Sequence, residues 1–271
     1  MSPLSQWPEA DRRQILGVFT DIDDTLTTDG VVPPSTVQAL ADLKAAGLHV
    51  IPITGRPVGW SEPFARDWPV DAIVAENGAV ALTTSPTGLQ PAPALRGALS
   101  KLYQQSDAVR AANFARMQQV AQRVLRDVPG ARLARDSAGR ETDIAIDHSE
   151  FAHLTPAQVE AVVRTMQAEG MTATVSSIHI NGWYGDHNKL DGARWIVRTL
   201  LGRALDAELQ RWVYVGDSTN DQLMFEHFPH SVGVANIRRF EAQLTHKPRY
   251  ITLGERGEGF AEVARAVLAA R

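Results

Sequence analysis

The chain has 271 residues, 44% of them hydrophobic, enough to bury a sizeable core as one large domain or two modest ones. Its 27 basic and 31 acidic side chains leave a net charge of -4, which argues against a dedicated nucleic-acid binder or a polybasic membrane anchor. With no cysteine, disulfides, thiolate nucleophiles and Cys-based metal sites are excluded, so any catalysis uses oxygen or nitrogen side chains or a metal they hold. The opening MSPLSQWPEADRRQ lacks an apolar stretch behind a basic start, and no run is long enough to cross a bilayer, which predicts a cytoplasmic protein. Low-complexity tracts and internal repeats are missing, and the histidines include no HExxH pair.

Residues 15–20 (ILGVFT) form a short apolar run with β-branched and aromatic members that ends at the acidic DIDDT, and read as a buried strand. After PPST, the spacing of Val37, Leu40, Ala41 and Leu43 predicts a helix closed by Gly47, and residues 48–53 supply the next strand. Residues 72–75 read as a third strand, and 212–215, 231–234 and 250–253 as three more between helical stretches. Buried apolar strands alternating with helices predict an open, Rossmann-like parallel α/β sheet.

Between about Leu89 and Tyr184 the texture changes. A helical stretch at 106–125 precedes strand-like runs at 132–135 and 141–147. The order then repeats: Thr155, Pro156 and Gln158 match a capping box with proline at the first helical position, Val159, Val162, Val163 and Met166 make one face, and Gly170 stops the helix. Strand-like runs at 172–176 and 178–184 follow. Ile144 and Ile146 alternate with Asp143 and Asp147, a pattern suited to an antiparallel sheet with one wet face. The expected organisation is a discontinuous core, 1–87 and 185–271, split by an α+β insertion at 88–184.

Four groups carry chemistry. Asp21 and Asp23 lie two apart at a strand end, so their carboxylates converge on one side and repel unless a cation sits between them. Asp217, Asn220 and Asp221 follow another apolar strand, and several carboxyl groups in one crevice suit a hard divalent cation such as Mg2+. Alone, the first cluster also reads as an acidic, turn-prone strand terminus, and the second reads more readily as a loop and helix cap. Thr54 and Gly55 offer a hydroxyl and backbone amides at a third strand end, able to hold a phosphate oxygen. Lys189 opens a predicted helix after the turn 185–188, where a cation opposes the helix dipole unless it meets an anion.

Taken together, in the order acid pair, threonine, lysine, acid pair, these residues resemble the haloacid dehalogenase superfamily of phosphotransferases over the whole chain. DIDDT at 21–25 is similar to its first motif, Thr54 to its second, Lys189 to its third and GDSTND at 216–221 to its fourth. The large insertion, with ENGAV at 76–80 just before it, is similar to the Cof-type, subclass IIB branch with a type-two α/β cap, which includes sugar-phosphate phosphatases and phosphomannomutases. Asp24 departs from the pattern, many relatives carrying glycine there, and falls outside the expected ligand set. The acid at Asp23 points to phosphate esters, because relatives acting on carbon-halogen bonds lack it.

The resemblance implies a Mg2+-dependent phosphoric monoester hydrolase in which Asp21 is the nucleophile, forming an aspartyl-phosphate, and Asp23 the general acid and base. It implies Asp21, the Asp23 backbone carbonyl and Asp217 as metal ligands, with Asn220 and Asp221 supporting them, and Thr54, Gly55 and Lys189 as holders of the phosphoryl oxygens. The substrate would be a small phosphorylated metabolite, probed by Arg56, Asn77, Glu141, Asp143, His179 and Asn181, with neither nucleic acid nor membrane as partner. Trp183 offers a stacking face for a sugar, or an ordinary core residue. The glycine-rich 254–259 lacks the lysine of a phosphate loop and reads as a turn into a last helix at 260–269. A phosphosugar mutase gripping a second phosphate with Arg132, Arg135 or Arg140 remains an alternative, as, more remotely, do a phospho-aspartate receiver and a non-catalytic binding protein.

Overall fold

The protein, a computed structural model, is described over residues 1–84 and 98–271. Strand β1 (Ser2–Pro3) and helix α1 (Glu9–Arg13) open the chain, followed by β2 (Gly17–Thr20), α2 (Pro34–Ala45), β3 (His49–Pro52) and α3 (Val58–Asp67). Then come β4 (Ile73–Ala75), β5 (Val80–Thr83), β6 (Ser100–Tyr103), α4 (Asp107–Asp127), β7 (Arg132–Leu133) and β8 (Ile144–Asp147). Helix α5 (Pro156–Ala168), β9 (Thr172–Val175), β10 (His179–Trp183) and α6 (Lys189–Leu201) lead to β11 (Trp212–Gly216), α7 (Gln222–His227), β12 (His230–Gly233), β13 (Tyr250–Ile251) and α8 (Arg256–Leu268).

Six strands pair in the order β1-β13-β12-β11-β2-β3, every neighbour parallel. Their continuous apolar runs follow from burial on both faces. Val18, Val50, Val213 and Val232 point to one layer, shared with Leu40 and Leu43 of α2 and Phe260, Val263 and Val267 of α8. Phe19, Ile51 and Tyr214, one residue on, point to the other, with Ile196 and Val197 of α6 and Met224 and Phe225 of α7. The period of two thus builds a three-layer sandwich. Because β2 and β11 are register partners, Thr20 and Val215 end side by side, and the carboxylates after each strand share one sheet edge.

The inserted part is a four-stranded antiparallel sheet, β7-β8-β10-β9, with α4 and α5 on one face. Helix α5 begins with the expected Thr155–Gln158 capping box and Pro156. The chain is therefore an α/β protein with a parallel core and an inserted α+β cap. The second face of the cap sheet is not wet: Asp143, Asp147, His179 and Asn181 are all buried, because that face is turned toward the core's strand ends. Glu141 and Asp143 precede the strand instead of lying in it, since β8 starts at Ile144.

Residues 72–75 do not simply extend the parallel sheet. β4 touches it through the parallel bridge of Ile53 and Val74, then pairs antiparallel with β5, and β5 with β6. The expected segment boundary at 87/88 and the change of texture at Leu89 lie outside the described residues. Strand β6, inside the segment 88–184, nevertheless pairs with β5. Helix α8 starts four residues before the expected position, because Gly257 and Gly259 are helical and pack where a side chain would collide: a Cβ on Gly257 would lie 2.4 Å from the Thr36 hydroxyl. Among the described residues no helix is long and apolar enough to cross a membrane.

Candidate active site

The carboxyl edge of the sheet gathers Asp21 after β2, Asp217 and Asp221 after β11, and Lys189 from the first turn of α6. Oxygens of the three carboxylates lie within 4.8 Å of one another, all buried. Lys189 Nζ donates to Asp21 Oδ1 at 2.6 Å and to Asp221 Oδ1 at 2.7 Å. This answers the lysine's unfavourable place at a helix start, since two anions meet it there. Asn188 caps the same helix, accepting from the Asp191 amide at 2.9 Å.

The three acids are not equivalent. Asp221 is fully engaged: its Oδ2 accepts from the Asp217 and Ser218 amides at 2.9 and 3.1 Å, and its Oδ1 accepts from Lys189 and the Tyr214 hydroxyl. Asp217 Oδ2 accepts from Asn236 Nδ2 at 3.0 Å, while its Oδ1 is buried without a partner. Burial pushes Asp21 from 3.8 up to about 7; Lys189 opposes the rise, and Asp221 and Asp23 add to it. Burial, then Asp21 and Asp221, carry Asp217 well above its ordinary range. An orphaned buried carboxylate oxygen among like charges is the donor set a hard divalent cation fits. Asn220, half-buried, accepts from the Ser218 hydroxyl at 3.0 Å.

Next along the edge, Thr54 and Gly55 follow β3. Thr54 is buried, and its hydroxyl accepts from the Arg56 amide at 3.0 Å. Arg56 itself is not a free cation for substrate. Its Nε donates to both Asp23 oxygens at 2.9 and 3.1 Å, Nη1 to Asp136 at 3.0 Å and Nη2 to Glu150 at 2.8 Å. Burial works against its charge, and Asp23 and Glu150 more than restore it, raising its pKa.

The cap face over Gly55 is a second polar cluster. Arg140 Nη1 and Asn181 Nδ2 both donate to the Gly55 carbonyl, at 3.0 and 3.3 Å, and to Asp143, at 2.7 and 3.0 Å. Asn77 Nδ2 reaches Asp143 at 3.4 Å. Burial, opposed by Arg140, lifts Asp143 to about 7. His179 Nε2 lies 2.9 Å from Glu150. The structure so brings Asn77, Asp143, His179 and Asn181 over the strand ends but not Glu141, whose carboxylate is held by Tyr103 at 2.5 Å and Lys101 at 2.9 Å. Trp183 is a core residue, 1% exposed, donating to the His187 carbonyl.

Three supporting residues escaped the sequence. Glu76, fully buried in a left-handed turn with Asn77 and Gly78, accepts from the Val58 and Glu141 amides at 3.0 Å and from the Thr142 amide and hydroxyl at 2.5 Å. It ties the start of α3 to the cap. Asn236 links Asp217 to the Asp24 carbonyl, and Tyr214 holds Asp221. The ENGAV stretch was the available signal for Glu76. Asp24 has φ 55, a conformation natural to glycine, and its carboxylate lies 3.1 Å from Arg256.

Residues 18–90 match a family model described as haloacid dehalogenase-like hydrolase. The chain is similar to the solved structure of a putative HAD/COF-like hydrolase from Plasmodium vivax, with TM-score 0.68 and 16% identity over 97% of this chain and 100% of that one. It is similar to a subclass IIB sugar phosphatase of the same superfamily, with TM-score 0.62 and 16% identity over 94% and 99% of the two chains. It also resembles the sucrose-phosphatase of Synechocystis, solved with sucrose and phosphate, with TM-score 0.61 and 14% identity over 94% and 98%. No curated protein matches the sequence. At these identities the solved structures speak for the fold: a parallel core with an inserted cap.

Proposed function

We propose that this chain, a haloacid dehalogenase-like hydrolase of the Cof type, is a Mg2+-dependent phosphatase for a small phosphate monoester, with a sugar phosphate the favoured class. The observation that carries the reading is Lys189 Nζ lying between Asp21 and Asp221 beside the orphaned Asp217 oxygen. That arrangement supports the reading, since a carboxylate able to attack, a fixed cation and a carboxylate oxygen without a partner share one sheet edge. In this reading residues 1–87 and 185–271 are the catalytic core and 88–184 the inserted segment, in which β6 pairs with β5 of the core and α4 to β10 make the cap.

Asp21 attacks phosphorus in line, the leaving-group oxygen departs, and an aspartyl-phosphate forms. Asp23 gives the leaving oxygen a proton, then takes one from the water that hydrolyses the intermediate. Thr54, the Gly55 amide and Lys189 hold the equatorial oxygens. Asp21, the Asp23 carbonyl and Asp217 would hold Mg2+, backed by Asn220 and Asp221, and the bound cation supplies charge that keeps these carboxylates from repelling the phosphate. Two of the three cap arginines that could grip a second phosphate, Arg140 and Arg135, already have partners within the chain. Arg140 is spent on Asp143, Asp136 and Gly55, and Arg135 lies 3.7 Å over the Phe151 ring.

The direct test is hydrolysis of p-nitrophenyl phosphate with Mg2+ and then with EDTA. Turnover that persists in EDTA overturns the metal-dependent reading, and a kcat/KM ranking across phosphorylated sugars, polyols and nucleotides then identifies the leaving group. Asp23→Asn is expected to lower kcat on an alkyl phosphate such as glycerol 2-phosphate by about 10²-fold or more while keeping Mg2+ affinity, since its backbone would be the ligand. A lost affinity, read by calorimetry, would contradict that placement.

Metal binding should also depend on pH in a defined direction. Asp21 and Asp217 bind protons more tightly folded than unfolded, so the metal-free protein loses their contribution to stability as pH rises from 3.8, and for Asp21 through about 7. Mg2+ needs the ionised forms. Its stabilising shift in Tm is therefore expected to be larger at about pH 8 than at about pH 5.5. Equal shifts, measured by scanning calorimetry, would detach these carboxylates from the metal.

A further inference from the structure

Arg56 joins the two halves of the site. Its side chain is 7% exposed, and the Asp23 it holds belongs to the core, whereas Asp136 and Glu150 come from the cap. Each cap carboxylate has a second partner within the cap: Arg140 donates to Asp136 Oδ1 at 3.2 Å, and His179 Nε2 lies 2.9 Å from Glu150 Oε2. The two halves meet closely here because both contact residues are glycine; a Cβ on Gly59 of α3 would lie 2.9 Å from the Gly139 Cα of the cap.

The geometry of the guanidinium decides what this contact does. An arginine holds a carboxylate best side-on, with two parallel N–H groups on two oxygens. In this structure both terminal nitrogens are turned to the cap, and Asp23 is left with a single N–H, that of Nε, divided between its two oxygens. Lifting the cap withdraws Asp136 and Glu150 and leaves Arg56 free to take Asp23 side-on.

We propose that Arg56 is a positioning residue through which cap closure releases Asp23: Asp136 and Glu150 occupy the terminal nitrogens of Arg56, and the loosened Asp23 carboxylate can turn to the leaving-group oxygen. This rests on the reading of Asp23 as the acid. It makes the cap's two carboxylates part of the timing of the reaction, although neither needs to touch substrate, and it prevents the acid from acting while the site is open to water.

The test compares kcat/KM for p-nitrophenyl phosphate, whose leaving group departs without a proton, with that for glycerol 2-phosphate, whose alkoxide needs one. The double variant Asp136→Asn, Glu150→Gln returns the terminal nitrogens to Asp23. It is expected to lose about tenfold more on glycerol 2-phosphate than on p-nitrophenyl phosphate. Adding Arg56→Lys to that background replaces the fork with a point charge and is expected to bring the ratio of the two substrates back toward wild type. Equal losses on both substrates, or a ratio that Arg56→Lys does not restore, overturn the proposal. Should the double variant fail to fold by its melting curve, Glu150→Gln alone shows the same direction, and an unchanged ratio there overturns it too. A wild type inactive on both substrates with Mg2+ overturns the phosphatase reading and this inference together; an active wild type with equal losses overturns this inference alone.

Discussion

Asp21→Asn is expected to lower kcat on p-nitrophenyl phosphate by about 10⁴-fold or more, because in the proposed mechanism its carboxylate attacks phosphorus and an amide cannot replace it. The same change should not unfold the protein. Asp21 is 4% exposed, lies among Asp23, Asp217 and Asp221, and is pushed toward its neutral form by that burial. A neutral amide of the same shape removes one of the mutually repelling charges, and Lys189 keeps Asp221 at 2.7 Å. The metal-free variant is therefore expected to melt no lower than the wild type at about pH 8, where the wild-type carboxylate would be ionised. Activity and stability thus move independently, so a loss of turnover reports on chemistry. Undiminished turnover sinks the nucleophile assignment.

The gathering of Asp21, Lys189, Asp217 and Asp221 at one sheet edge was legible in the sequence because its signals are local. Each apolar run of β2, β3 and β11 is buried on both faces, and the polar residues begin where the strand leaves the sheet, so strand ends and carboxylates were visible together. The Thr155 capping box and the stops at Gly47 and Gly170, with φ 80 and 78, were equally local. The signal weakened where distant residues decide the outcome. Asp143 and Asp147 alternate with isoleucines as on a wet face, but docking of the cap buries them, and nothing in residues 141–147 announces that. Arg56 is a bare cation in sequence; only the approach of Asp136 and Glu150, 80 and 94 positions away, turns it into a hub. Strands β5 and β6 are short and pair across the segment between them, which hides their partnership from any window of sequence. Glu76 was masked for another reason: its value lies in accepting amides from α3 and from the cap, contacts that leave no periodic trace.

Lys189→Met tests the electrostatics of the whole crevice. The lysine is 3% exposed, and burial alone would lower its pKa, yet Asp21 and Asp221 raise it, so in the folded protein it is charged and paired. Removing one partner of a buried ion pair typically costs about 3–5 kcal/mol, because the charges left behind have lost both water and counter-ion. Here the remaining group is Asp21, Asp217 and Asp221 within 4.8 Å, so the metal-free variant is expected to melt well below the wild type at about pH 8. The penalty has a sign in pH. Without Lys189, which pulls Asp21 downward, the acids hold their protons to higher pH, and the deficit in Tm should shrink as pH falls and they become neutral. Mg2+ supplies positive charge to the same oxygens and should recover much of the stability. It should not recover turnover, since in the proposed mechanism the amine that would hold a phosphoryl oxygen is gone, and kcat is expected to stay down by about 10²-fold or more. A variant that melts with the wild type at both pH values would show that Asp21 and Asp221 do not depend on this cation; one that melts lower at both, with no gain from Mg2+, would place its role in packing instead of charge.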